Sequence, residues 1–238
     1  MKERPGGLSF FIVSVRVNFT HGADVPGKEH GHIMYRGERI NSITHLIGAC
    51  LSLAGLVVLV VFAGRQDDPW KIVSFSIYGV TLVALYLFST LYHSVQGASK
   101  KVFQKIDHSA IYLLIAGSYT PFALVTLRGA WGWSIFGVIW GLALFGIIQD
   151  TLLAQGRRIL SVVIYLLMGW LALVVIRPLA HALPGAGMAW LVAGGVFYTT
   201  GVLFYALDKK VSFGHEIFHL FVLAGSACHY FTILLYVA

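Results

Sequence analysis

The chain has 238 residues, 58% of them hydrophobic and 11% charged, with a mean hydropathy of +0.79. A soluble domain carries about 25% charged residues, so this composition excludes an ordinary water-soluble domain and makes lipid the solvent for most of the chain. The net charge of +7 then bears first on membrane orientation, and no soluble domain is left to take it to a nucleic acid.

Residues 1–33 stand apart from the rest. LSFFIVSV is apolar but only eight residues long, too short to span, and VNFTHGADVPGKEHGH reads as a disordered segment. MYRGERINSITH, from Met34, resembles a natural start. Residues 1–33 are therefore expected to be a disordered tail or a start-site extension, and residues 34–238 the membrane domain.

A bilayer-spanning helix needs about 20 mostly apolar residues. Seven runs free of Asp, Glu, Lys and Arg follow one another: 40–64, 72–99, 108–127, 129–149, 159–176, 178–207 and 217–238. They predict an all-α integral membrane protein, a seven-transmembrane-helix bundle. The helices are expected at about 41–64, 72–95, 107–127, 130–149, 159–177, 187–206 and 215–237. Cys50 and Cys228 lie inside apolar runs, without the close Cys or His spacing of a zinc site, and read as packing residues.

Seven spans put the termini on opposite sides. One side carries thirteen Lys and Arg, in the N-terminal tail and at 100, 101, 105, 157, 158, 209 and 210; the other carries four, at 65, 71, 128 and 177. Positive charge stays in the cytoplasm. The N-terminus is thus expected to be cytoplasmic and the C-terminus outside.

That topology, fixed from Lys and Arg alone, brings His45, Ser89, His93, Asp107, His215 and His219 to one depth near the inner leaflet. Ionisable residues in spans are costly and usually functional. His215 and His219 lie in HEIFH, which matches H-E-x-x-H, the zinc-binding helix of many metalloproteases. Four residues apart, they share one helix face and can both reach one zinc, with His93 as a third nitrogen and a fourth position open to water. Asp107 could orient that water or act as its base. The soluble-protease pattern fails, because no Asp or Glu follows Glu216 and the third His position holds Gly225. Any third ligand must come from another helix.

Plainer readings stand beside these. The histidines could bond at the headgroup boundary, Asp107 could cap its helix, and Ser89 could bond back to its own helix. His45 reads as an interhelical partner close to the site, and His229 as an interhelical hydrogen bonder too far outward for the same metal. Pro121 is expected to kink its helix, and Gly137 and Gly141 to form a helix contact face.

ERINSITHLIGA, FSTLYHS, KIDHSAIYLLIAGSYTPF and HEIFHLFVLAGSACHYF together resemble the bacterial hemolysin III proteins, of the superfamily of progestin and adipoQ receptors. The match runs from Met34 to the C-terminus. The resemblance implies seven transmembrane helices with a cytoplasmic N-terminus. It implies zinc bound near the inner leaflet by His93, His215 and His219, with Asp107 touching the zinc-bound water and Ser89 beside it. It also implies membrane lipids as partners, and links to lipid amide hydrolysis, hemolysis and control of membrane state. Three functions follow as expectations: a zinc-dependent hydrolase of a lipid amide or ester, a membrane-state sensor with structural zinc, and a pore-forming cytolysin. The oligomeric state stays open.

Overall fold

The computed structural model describes residues 38–153, 158–208 and 210–238. The expected tail, residues 1–33, lies outside them. Among the described residues there is no strand, and the helices are α1 (Arg39–Gly64), α2 (Pro69–Ser94), α3 (Ala98–Pro121), α4 (Gly129–Ile148), α5 (Arg158–Trp170), α6 (Ile176–Ala182), α7 (Gly185–Ala206) and α8 (Gly214–Tyr236). Seven stretches are long and apolar enough to cross a membrane; the fifth, Ile159–Ala182, joins α5 to α6 through a 3-10 turn at Leu171–Val175.

The side chains turn their apolar surface outward as well as inward. Leu51, Val80, Leu144, Leu167 and Leu203 are all exposed. In water such a continuous apolar surface would drive association; in hydrocarbon it is the matched one. The interior holds aromatic and aliphatic side chains such as Phe75, Tyr78, Leu59 and Ile139, with small and polar groups among them. Gly48, Ser52 and Gly55 face inward on α1, and Gly187, Gly194 and Gly201 do so on α7, which lets backbones approach closely.

Two helices run further than their uncharged cores. α3 starts at Ala98, so Lys100, Lys101 and Lys105 occupy its first turns. Their long side chains can reach headgroups while their backbone stays helical. The fifth span continues past Arg177 to Ala182. Pro121 ends the regular part of α3, and a wider π turn, Phe122–Leu127, follows it, because proline removes one donor from the helical ladder. At the opposite end of the bundle from the histidines, Asp68 caps α2. Its Oδ1 accepts from the amides of Trp70 (2.9 Å) and Lys71 (3.4 Å), and its Oδ2 from Arg128 (2.8 Å). Burial pushes the Asp68 carboxyl up, but these donors outweigh it and hold the group below its ordinary value. Cys50 and Cys228 are both free.

Gly137 and Gly141 have nothing within 4 Å of a would-be Cβ, so this pair forms no contact face among the described residues. Gly132, one turn into α4, is the opposite case. A Cβ there would run into the backbone carbonyl of Ala123 in the π turn, which no rotamer change can relieve. Gly132→Ala is expected to destabilise the protein by about 1–3 kcal/mol, the usual cost of overpacking. Gly137→Ala should be neutral or slightly stabilising, since alanine is the better helix former. Thermal melts of the two variants in detergent should separate accordingly; equal melts would refute the close approach.

Candidate metal centre

The last turn of α2 and the first two turns of α8 supply three histidines. α8 begins at Gly214, after Phe213 at a left-handed φ of 59°. His215 and His219 then project from one face, as their spacing dictates. His93 meets them from α2: its Nε2 lies 3.4 Å from His215 Nε2. Ring centroids are 4.9 Å apart for His93 and His219, and 4.8 Å for His215 and His219. One nitrogen from each of the three lies within 4.8 Å of the other two. A tetrahedral ion with bonds of 2.0–2.1 Å needs nitrogens about 3.3 Å apart, so the cluster is near, and in one pair at, metal-binding distance.

The residues fit a metal ion. His93 and His219 are buried, at 2% and 1% exposure, and His219 Nδ1 has no hydrogen-bond partner. Buried polar atoms are nearly always partnered, and three imidazoles this close together are what an ion can satisfy. An all-imidazole set suits zinc, copper, iron or nickel. The third histidine of the cluster does come from another helix.

Other groups surround the three. Glu38, just before α1, places Oε2 2.5 Å from His93 Nδ1; Asn41 donates to the same oxygen (3.2 Å) and Lys100 to Oε1 (3.1 Å). Burial raises the affinity of Glu38 for a proton, but contacts with His93, Asn41 and Lys100 outweigh it and pull its pKa down to about 2. Asp208 Oδ2 stands 3.9 Å from His215 Nδ1. His45 stacks on His219 with centroids 3.7 Å apart and planes 14° apart, and meets Tyr86 edge-on at 5.1 Å. Both His45 ring nitrogens are buried without partners, so His45 contacts the cluster by its ring face.

Asp107 and Ser89 lie in the wall of a cavity of about 790 Å³, which His45, His215 and His219 also line. Ser89 is buried, towards the end of α2, and shares the cavity wall with Asp107. From this polar end the cavity continues past Ile111, Leu114, Phe122 and Leu179, an apolar path along α3 and α6. Its sides come from α5 and α7, which touch each other sparsely. His229 is away from the cluster, with Nε2 3.3 Å from the Leu191 carbonyl, so it ties α8 to α7. His108 accepts from Tyr165 through its backbone carbonyl (3.0 Å).

The close approach of Glu38 to His93 is the feature that sequence spacing left out. A signal existed: Glu38, Asn41 and His45 fall at i, i+3 and i+7, one helical face. What spacing could not supply was the partner, 55 residues away.

Comparison with known proteins agrees with this architecture. A sequence model of the family described as "Haemolysin-III related" matches residues 34–230. The chain is 47% identical to "Hemolysin-3" of Bacillus cereus over 201 residues, 84% of this chain and 91% of that protein. It is 46% identical to the "Hemolysin-3 homolog" of Bacillus subtilis (strain 168) over 84% of this chain and 93% of that one. It is 30% identical to the human "Monocyte to macrophage differentiation factor" over 81% of each. Seven membrane-spanning segments and a family match that runs through all three clustered histidines leave one conclusion: the chain is a multi-pass bacterial membrane protein that belongs to the haemolysin-III related family.

Proposed function

We propose that the protein is a zinc-dependent hydrolase of a lipid amide or ester, working at the inner leaflet. The observation that carries this reading is the junction of two features. His215 and His219 of the three-histidine cluster, the carboxylate of Asp107 and the buried Ser89 all line one apolar cavity of about 790 Å³. The Lys and Arg excess at the histidine end supports the inner-leaflet placement.

His93, His215 and His219 would hold the ion. A bound zinc supplies Lewis acidity, polarising a carbonyl and making water acidic enough to attack near neutral pH. Asp107 orients the attacking water and takes its proton at a carboxylate oxygen, with Ser89 donating to the other oxygen or to the same one. The C–N or C–O bond breaks, and Asp107 returns the proton to the departing amine or alkoxide. The products are a fatty acid and an amine or alcohol. The apolar channel holds the acyl chain and excludes bulk water, and the sparse contact between α5 and α7 supports a lateral opening through which a lipid chain could pass.

A panel of lipid amides and esters, offered in mixed micelles to purified protein, tests this. The expected result is a product that disappears with a zinc chelator and returns with zinc; no zinc-dependent product from any member would end the reading.

One observation favours a second function, a membrane-state sensor with structural zinc. α1 packs on both α2 and α8, while α2 and α8 meet through side chains, Tyr86 donating to Ser226 (2.7 Å) and His93 facing His215 and His219. A metal between His93 and the α8 histidines would staple them. In that case chelation would lower the melting temperature sharply without any turnover to lose.

A further inference from the structure

We propose that Glu38 is a positioning residue for the metal centre: it holds His93 in the tautomer and orientation that turn Nε2 toward His215 and His219. This rests on the metal-binding reading of those three histidines.

The two ring nitrogens of His93 face different neighbours. Nε2 lies 3.4 Å from His215 Nε2, inside the cluster. Nδ1 lies 2.5 Å from Glu38 Oε2. An ionised carboxylate can only accept, so Nδ1 carries the hydrogen and the neutral ring keeps its lone pair on Nε2. That lone pair is what a metal requires. Histidine ligands commonly donate their other N–H to a carboxylate, which fixes the ring and makes it a better donor.

Glu38 is itself held. Asn41 donates to Oε2 at 3.2 Å and Lys100 to Oε1 at 3.1 Å, so partners from α1, α2 and α3 converge on one carboxylate. Ser42 and Ser94 hydrogen-bond at 2.9 Å and join the start of α1 to the end of α2. α1 gives no member of the three-histidine cluster; its contribution is this carboxylate. Asp208 Oδ2 stands 3.9 Å from His215 Nδ1, against 2.5 Å between Glu38 Oε2 and His93 Nδ1.

A purely structural role would make Glu38 a tether between α1 and α3 through Lys100. The two side chains are 25% and 30% exposed, and such a pair contributes little. The contact with an almost fully buried imidazole is of another kind, and among the described residues it is the one hydrogen bond to His93 Nδ1.

The test uses the full chain, purified and stripped of metal. Zinc is titrated against a competing chelator dye, and cobalt is followed by its visible absorption. Glu38→Ala is expected to weaken zinc binding by about 10–100-fold, the usual loss when a ligand's supporting partner is removed, and to alter the cobalt spectrum. Glu38→Gln, whose amide oxygen still accepts from Nδ1–H, should recover part of the loss. Lys100→Ala, which removes one group that holds Glu38 but leaves the Glu38–His93 contact in place, should lose less than Glu38→Ala. If Glu38→Ala does not fold, Glu38→Met, similar in length but without a strong acceptor, takes its place with the same expected loss. Wild-type affinity in Glu38→Ala or Glu38→Met, with binding still lost in His219→Ala, would overturn this inference and leave the metal site standing. No zinc binding by wild type would overturn both.

Discussion

Replacing His219 with alanine is expected to empty the metal site. Wild-type protein purified without chelator should carry about one zinc per chain by mass spectrometry, as a single three-nitrogen site with one open position requires; the variant should carry essentially none. His219 is the most deeply buried of the three, at 1% exposure, and water cannot easily stand in for its ring because His45 stacks on the same face. Two remaining histidines on separate helices make a poor site. The loss should also appear in stability. A ligand at 100 times its Kd stabilises a protein by about 2.7 kcal/mol, so zinc should raise the melting temperature of wild type and leave that of His219→Ala unmoved. Zinc in neither protein would mean that the HEIFH segment is only an interfacial helix start.

Much of this site is legible in the sequence because two periodicities coincide. The i, i+4 spacing of His215 and His219 fixes a shared face before any fold is known. Counting Lys and Arg fixes which helix ends lie together, and so brings His93 and Asp107 to the same depth as the α8 pair. The charge-free runs mark seven spans for a similar reason: the backbone of a span must be helical, and its centre must be apolar. Charge is a poor guide to where a helix stops. Lys100 and Lys105 ride on α3 and Arg177 on α6, because long side chains can leave the hydrocarbon while their backbone remains in it. Contacts across the sequence are the other blind spot. Glu38 reads as an ordinary acid near a helix start, and only the packing of α1 beside α2 turns it onto His93. His45 shows the same gap. The sequence reads it as an interhelical partner close to the site, and only the packing shows that the contact is made by its ring face on His219.

Asp107→Asn separates catalysis from mere metal binding. The amide keeps the size of the side chain and can still pair with Ser89, so the fold and the zinc content should survive. It cannot take a proton from water at neutral pH. Removing a positioned general base typically costs about 10²–10⁴-fold in rate, and turnover of any lipid amide or ester that wild type cleaves should fall by that order. Ser89→Ala should cost less, since a hydroxyl in the cavity wall beside Asp107 can at most support the carboxylate and cannot replace it as the base. Rate and zinc content must be measured on the same preparations. Loss of rate with zinc retained supports the hydrolase, with Asp107 at the reacting water. Loss of both would make Asp107 a structural part of the centre. An unchanged rate would remove Asp107 from the chemistry. A protein with zinc, no turnover and a melting temperature that collapses on chelation would be the sensor, in which the metal's work is to hold α2 against α8.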